Sequence, residues 1–475
     1  MRTNKRIIAA MLIIATCIVS FPKQINADSS VRRTCTVVVN GGESVEIAAL
    51  ELNYDKNMYI SLLGIAYCLR NTNKSIGVSV DNGEINIVTE GSFNEYPGLW
   101  TDDEIKSRPK WKLSRTPVYI DGQEKRYYSM VGSGYESNVL DAFFTPLRLA
   151  MALDINVEIV DGVININTDD HFNISAAQLE NSGYLQGINS LIIGDGTTGD
   201  IYFSHDGDEA VPIASTTKLM TYFVLMDAVS NGDVTLDDVV NISDNVRSLS
   251  EGIDGLVSFE GKSQVPISEL IYAMLIASSN ECALAIAEHV AGSEEAFVDR
   301  MNEKSCELAL EEAMFYNCNG LPVYDNQTLP AKMQNHMSAE DMFILASKLI
   351  EKYPQVLEIT STKKISLPTL SYEAKNTNAL LYNMSDVKGL KTGTTNKSGA
   401  CLVVAMPIEK EGIEHNLICV VFGAEGELDR VLVAEISARI AKTRLYGEEI
   451  KTEEKYEIAL ENPELDVQRM LTNLQ

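Results

Sequence analysis

Three short strings carry side chains suited to one reaction. Ser215-Thr-Thr-Lys218 offers a hydroxyl and an amine three residues apart, Ser278-Ser-Asn280 a second hydroxyl with an amide, and Lys391-Thr-Gly393 a second cation beside a hydroxyl and a glycine. A serine hydroxyl needs a base before it attacks a carbonyl. Lysine serves once desolvation or a neighbouring cation, here Lys391, makes its neutral amine accessible. On a helix opening at Ser215, that residue and Lys218 emerge on one face, and the helix N-terminus aims N–H groups at the reacting oxygen. Ser278 can relay a proton to a leaving amine, and Asn280, both donor and acceptor, can hold Lys218 and a substrate amide. Lys391 and Thr392 suit a free carboxylate, and Gly393 permits close backbone approach. The N–H groups of Ser215 and Thr394 would form an oxyanion hole. The chemistry implied is acyl transfer through a serine ester.

Each string alone is weak. Ser-x-x-Lys also begins at Ser20, Ser107, Ser361 and Ser385, and Ser-Asp-Asn begins at Ser243. Ser215 is preferred for its preceding alanine, the apolar Leu219-Met220 and its two partner strings. Ser278 is preferred because it falls where one apolar helical run ends and another begins. A Ser/His/Asp triad finds no support: His171, His205, His289, His336 and His415 lack a triad context, and there is no Gly-x-Ser-x-Gly elbow.

The elements that must position these groups follow from pattern. Strands are expected at Ser190 to Gly194 and Asp200 to Ser204, around the turn Asp195-Gly-Thr-Thr-Gly199. Helical patterns run from Ser215 to about Ser230 with Gly232 as a stop, from Pro266 to Ala277, and from Glu281 to Val290. Ser338-Ala-Glu-Asp341 reads as a capping box for a helix reaching Lys352. Val387 to Lys391, Ala400 to Ala405 and Leu417 to Phe422 read as strands, with Lys391-Thr-Gly393 ending the first, and Leu428 to Leu445 as a closing helix. Two strands, many helices, three strands and a helix make an α+β fold on an antiparallel sheet.

Ahead of this lies a unit that occurs twice between about Thr34 and Asp170. Tyr59 to Leu69 reads as a short helix followed by the strands Ile76–Val80 and Ile85–Val88; Phe144 to Leu153 reads likewise, followed by Val157–Val160 and Val163–Ile166. Each copy is preceded by a strand, Thr36 to Asn40 and Val118 to Ile120. Residues 91–116, an insertion between the copies, hold Trp100 and Trp111. These aromatics suit glycan stacking or, more simply, anchoring of a loop.

The chain has 475 residues, 45% of them hydrophobic, and a formal charge of −28. The apolar content excludes wholesale disorder, and the acidity argues against nucleic acid or anionic lipid as partner. Arg2, Lys5 and Arg6 ahead of the apolar Ile7 to Phe21, with Ile25-Asn26-Ala27 as cleavage site, read as a signal peptide over residues 1–27. The expectation is an extracytoplasmic protein, secreted or held at the cell wall or surface. Of eight cysteines, Cys17 lies in this leader, and the remaining seven are not a disulfide framework. Cys401 and Cys419 lie on two expected strands about a turn near Glu411, which leaves a bridge or two reduced apolar residues as alternatives. No Cys-x-x-Cys or His-x-x-x-His spacing suggests a metal, and no cofactor is expected.

Taken in order, with 63 and 113 residues between their starts, the three strings resemble the set of β-lactamases and penicillin-binding proteins. Residues 190–445 look like a serine D-Ala-D-Ala carboxypeptidase, a low-molecular-mass penicillin-binding protein. Ala214-Ser-Thr-Thr-Lys218, Asn319-Gly-Leu321, His336-Met-Ser338 with Asp341, Asn376-Thr-Asn378 and Gly389-Leu-Lys-Thr-Gly393 extend the likeness. Ser279 and Glu281 depart from it, standing where Gly and Asp are frequent. The resemblance implies a β-lactamase/penicillin-binding-protein-like antiparallel sheet packed with helices over residues 171–447. It implies removal of the terminal D-alanine of peptidoglycan stem peptides through an acyl-enzyme, with β-lactams as covalent inhibitors. A serine β-lactamase, a DD-endopeptidase and a non-catalytic penicillin-recognising wall protein are the alternatives. The first should carry a Glu-x-x-Leu-Asn string after Ser278, and none occurs. Residues 34–170, a smaller α+β tandem-repeat domain, resemble the copper amine oxidase N-terminal domain type, chiefly in Thr145-Pro-Leu-Arg148. Such modules imply a non-catalytic attachment that contacts the wall, and no copper. Residues 448–475 form an acidic tail.

Overall fold

The computed structural model describes residues 30–447 apart from 53–57, 82–83, 95–97, 100–109, 115–116, 127–128, 134–141, 182–183, 253–254 and 324–332. The expected signal peptide, the acidic tail, Trp100 and most of the 91–116 insertion lie outside the described residues.

Among the described residues the first part of the chain supplies twelve strands: β1 (Ser30–Val39), β2 (Ser44–Leu52), β3 (Met58–Ser61), β4 (Ile76–Asp81), β5 (Glu84–Thr89), β6 (Lys110–Ser114), β7 (Val118–Ile120), β8 (Gln123–Lys125), β9 (Ser129–Ser133), β10 (Ala142–Phe144), β11 (Asn156–Val160) and β12 (Val163–Asn167). They form an eight-stranded sheet, β11-β12-β1-β2-β3-β10-β9-β6, and a four-stranded one, β4-β5-β7-β8. Hairpin, strand, helix, hairpin recurs in both halves, with β6 ahead of the second opening hairpin and β9 added before β10, the helices being Leu62–Leu69 and Pro146–Leu153. The closing hairpin of each half lies parallel to the opening hairpin of the other, Ile85 beside Val118 and Thr36 beside Val163, while β3 and β10 pair antiparallel between them. Period-two patterning drives this: Ile164 and Ile166 of β12, like Ile85 and Ile87 of β5, point to the core while their neighbours are half-exposed. Ser61 caps the first helix by accepting from Gly64 N–H, and Pro146 opens the second where a missing N–H costs nothing.

The second part is built on a five-stranded antiparallel sheet. Its order is β14 (Asp200–His205), β13 (Ser190–Asp195), Ile413–Ala424, Gly399–Lys410 and, at the edge, Gly389–Thr395. Both faces are buried, so its middle strands are apolar without alternation. Leu402, Val404, Leu417, Cys419 and Val421 face a core shared with the helix Glu427–Tyr446 and with the N-terminal sheets. Val403, Ala405, Ile418, Val420 and Phe422 face a second core, formed with the helices Lys218–Asn231, Ile267–Ile276, Asn280–Ala291 and Ala339–Lys352. The fold is α+β with an antiparallel sheet. The helix Glu427–Tyr446 has nine consecutive buried residues, Arg430 to Ala438, because the sheet covers one side of it and the N-terminal part packs on the other.

One expectation needs correction, and one pair of alternatives is decided. Lys391-Thr-Gly393 does not end a strand; it occupies the middle of Gly389–Thr395. Cys401 and Cys419 are both free. The long hairpin turns at Glu411-Gly412, which sets Cys419 opposite Val404, and Cys401 points into the other core. A pleat sends them to opposite faces, so no bridge can form. No helix among the described residues is long and apolar enough to cross a membrane.

Candidate active site

Ser215 does not open an α-helix directly. It sits in a 3-10 turn, Ala214–Thr217, and Lys218 is the first residue of the α-helix that follows. Ala214 is held at a φ of 47°, a strained value for a residue with a Cβ, and the turn presents Ser215 half-exposed above a fully buried Lys218. The Lys218 Nζ lies 2.9 Å from Ser215 Oγ, 2.8 Å from Asn280 Oδ1 and 2.7 Å from the Asn319 carbonyl oxygen. The last two are pure acceptors. A neutral amine with two protons satisfies them and leaves its lone pair for the serine hydroxyl, which then donates to it. Burial, the largest influence, pulls the Lys218 pKa down to about 7, so the neutral form is populated near neutral pH.

The second string lies in the turn between Ile267–Ile276 and Asn280–Ala291. Ser278 is half-exposed there at a φ of 68°, and Ser279 caps the second helix by accepting from Cys282 N–H. That cap turns Asn280 inward toward Lys218. The neighbouring Glu281 is buried, and its Oε1 accepts from Leu256 N at 2.8 Å and from Val257 N, tying the loop after Ser250 to this helix start. The rival triplet lies apart from this turn, where Ser243 caps the helix Asp244–Ser250.

On the edge strand, Lys391 is buried, with Nζ 3.0 Å from the Thr392 carbonyl oxygen. Its pKa lies well below the usual lysine range because of burial first, then the nearby Lys218 and Arg430. A Cβ on Gly393 would stand 2.9 Å from Ser215 N and 3.1 Å from the Ile213 carbonyl oxygen, so only glycine lets this strand meet the nucleophile turn. Thr392 Oγ1 is 2.6 Å from Thr377 Oγ1, and Thr394 Oγ1 accepts from Arg430 at 3.1 Å.

Direct hydrogen bonds thus join Ser215, Lys218 and Asn280. Ser278 follows by chain adjacency, and Lys391 to Thr394 by the contact of the edge strand with the 3-10 turn. Three contributors escape a reading of the sequence. Arg430, also donating to the Gly393 carbonyl at 3.3 Å, sits in the closing helix, whose pattern does not single it out. The string at Asn319 is visible but the role of its carbonyl is not; Asn317 Oδ1 fixes that loop by accepting from Asn319 N and Gly320 N. Thr377 lies in the visible string Asn376-Thr-Asn378, but its contact with Thr392 appears only in the fold. The histidines take other roles: His171, His289 and His415 pair with Asp154, Asp238 and Asp195. Among the described residues no cluster of His, Cys, Asp and Glu is arranged to hold a metal.

Gly320 gives a stability test of this assembly. Its φ is 88°, and a Cβ there would fall 2.0 Å from the Ala214 carbonyl oxygen. Gly320→Ala is expected to destabilise the fold by roughly 3 kcal/mol, read from the denaturant midpoint, because the clash is with backbone and the dihedral is unfavourable.

A family model describing D-alanyl-D-alanine carboxypeptidase, the peptidase S11 family, matches residues 186–426, half of the chain and the whole of the site apart from Arg430. The chain belongs to this family. Among curated members of the D-alanyl-D-alanine carboxypeptidase family, DacF of Bacillus subtilis is 31% identical over 244 residues, covering 51% of this chain and 58% of its own length. A D-alanyl-D-alanine endopeptidase of Pseudomonas aeruginosa is 29% identical over 231 residues, 47% of this chain and 68% of that protein. The chain therefore spans little more than half the length of the first of these relatives. Among solved structures, a peptidoglycan synthesis regulatory factor (PBP3) from Streptococcus pneumoniae is 32% identical over 55% of this chain and 71% of that one, with a TM-score of 0.48. Penicillin-binding protein D2 from Listeria monocytogenes, solved with ampicillin bound, covers 54% of this chain and 97% of its own at 25% identity, with a TM-score of 0.47.

Proposed function

We propose that the protein is a serine D-Ala-D-Ala carboxypeptidase that removes the terminal D-alanine from peptidoglycan stem peptides. The observation that carries this reading is the environment of Lys218, a buried amine whose two other partners are acceptors, so that its lone pair is directed at Ser215 Oγ. The Ser215 hydroxyl loses its proton to Lys218 as Oγ bonds to the carbonyl carbon of the penultimate D-alanine. The oxyanion is received by the N–H groups of Ser215 and Thr394. Ser278 passes a proton to the leaving amine as the C–N bond breaks and D-alanine departs, and takes in its place the proton that Lys218 received from Ser215, which leaves the amine neutral again. Water then adds to the ester, giving its proton to the same base, and Ser215 is regenerated. Lys391 and the Thr392 hydroxyl hold the terminal carboxylate, Asn280 the substrate amide, and Gly393 keeps the strand close. Arg430 adds a buried positive charge behind Thr394. A carboxylate arriving here supplies a counter-charge to buried Lys391, whose charged neighbours Lys218 and Arg430 are both cations. Penicillins acylate the same serine.

The test is D-alanine release from a diacyl-Lys-D-Ala-D-Ala peptide, with fluorescent penicillin as a label of the same site. The acylation rate is expected to rise with pH through about 7 and then level, because the base is the unprotonated Lys218. An exposed lysine would place that rise near 10. Labelling without release from the dipeptide end, but with cleavage of a cross-linked dimer, would select the endopeptidase reading, which the relative from Pseudomonas aeruginosa favours. Rapid hydrolysis of the penicillin would select a β-lactamase instead.

The N-terminal strands are, on the same reading, tandem repeats of the copper amine oxidase N-terminal type over 34–170, serving as a non-catalytic attachment with a wall contact. The shared element order of the two halves supports duplication. Residues 1–27 act as the signal peptide of an extracytoplasmic enzyme.

A further inference from the structure

The hairpin β7-β8 of the N-terminal part reaches the segment 376–378, and that segment lies between the two substrate-binding strings. Thr377 N–H donates to the Ile276 carbonyl at 3.3 Å, two residues before Ser278, and the Thr377 hydroxyl meets that of Thr392 at 2.6 Å. Asn378 Nδ2 donates to the Gly389 carbonyl at 3.1 Å, at the start of the same strand. From the other side, Arg126 donates from its guanidinium to the Asn376 carbonyl at 3.2 Å and from its backbone N–H to Asn383 Oδ1 at 2.9 Å. The guanidinium also covers the Tyr382 ring at 3.6 Å, and Lys125 donates to the Asn383 carbonyl at 2.9 Å. Glu124 lies between the cations, 3.6 Å from Arg126 and 3.4 Å from Lys375.

We infer that Arg126 is a positioning residue for the reaction, supplied by the N-terminal part of the chain: through Asn376 it sets Thr377, and through Thr377 the hydroxyl of Thr392 that receives the substrate carboxylate. The proposal rests on the carboxypeptidase reading for its effect on turnover, but not for its structural content. An attachment that served only as a tether would need no polar contact here. This one places a charged planar donor, Arg126, on the Asn376 carbonyl and over the Tyr382 ring, one residue from Thr377.

The test is a double-mutant cycle on the full chain with Arg126→Ala and Thr377→Val, read by the KM and kcat of the diacyl-Lys-D-Ala-D-Ala peptide and by amide hydrogen exchange of residues 389–395. Arg126→Ala should raise KM about three- to tenfold with kcat little changed, and the double variant should be no worse than Thr377→Val alone. Arg126→Lys should recover part of the loss. Exchange in 389–395 should quicken in Arg126→Ala. Additive effects in the cycle, or a lowered thermal midpoint with KM and exchange both unchanged, would overturn the assignment and leave a docking contact. If the wild type neither releases D-alanine nor takes up penicillin, the functional reading fails, and the exchange measurement alone still decides whether Arg126 orders the strand.

Discussion

Ser215→Ala is expected to lower D-alanine release by on the order of 10⁶-fold and to abolish the covalent penicillin adduct. Loss of Oγ removes the atom that forms the ester, and among the described residues no other hydroxyl shares its contact with Lys218: the amine's remaining partners there are the oxygens of Asn280 and Asn319. What survives is the carboxylate site and the oxyanion donors, which hold substrate without attacking it. The fold should be little affected, within about 1 kcal/mol, since the hydroxyl is half-exposed and Lys218 keeps two acceptors. Intact-protein mass after incubation with penicillin, beside a thermal melt, checks both statements. A persistent adduct in the variant would place the nucleophile elsewhere.

Lys218→Met should cost about 10⁴-fold in the acylation rate, and its diagnostic is the shape of what remains. If the amine is the base, residual acylation loses its rise through pH about 7 and follows hydroxide instead. A lysine that merely braced the turn would leave the profile of the residual activity unchanged. Stability moves little in either direction. Methionine fills a similar volume and relieves the burial of an amine whose hydrogen-bond partners include no carboxylate, which offsets the two acceptors left unsatisfied at Asn280 and Asn319. Rapid-mixing kinetics with penicillin from about pH 5 to 10 separates the outcomes.

The site was legible in the sequence where chemistry is tied to local spacing. Ser215 and Lys218 meet because one turn of helix separates them, and Ser278 and Asn280 because a cap fixes the turn between two apolar runs. The antiparallel sheet was legible because two strand patterns before the helices and three after them were each joined to their neighbours by turn residues. What local pattern could not show was register and long-range packing. The two-residue turn at Glu411-Gly412 decides which faces Cys401 and Cys419 take, and a shift of one residue would reverse it. Arg430 and Arg126 reach the site from 37 and 250 residues away in sequence from the groups they contact, Gly393 and Asn376, and nothing in their neighbours marks them. The Asn319 carbonyl is backbone, and backbone roles leave no residue-type signal.

The helix Glu427–Tyr446 has a consequence for how this chain can be cut or exchanged. It begins just past the family match at residue 426, and its outward side is covered by the N-terminal part: Arg439 donates to the Met151 carbonyl and lies over Phe172, and the core runs on from Val433 and Ile436 to Leu149 and Ile174. A catalytic half excised at residue 186 would bare that apolar side to water and tend to self-associate. The N-terminal part is therefore not a bead that evolution or an engineer can unclip and replace. The residues facing the helix form one core with it and can be exchanged only together with it.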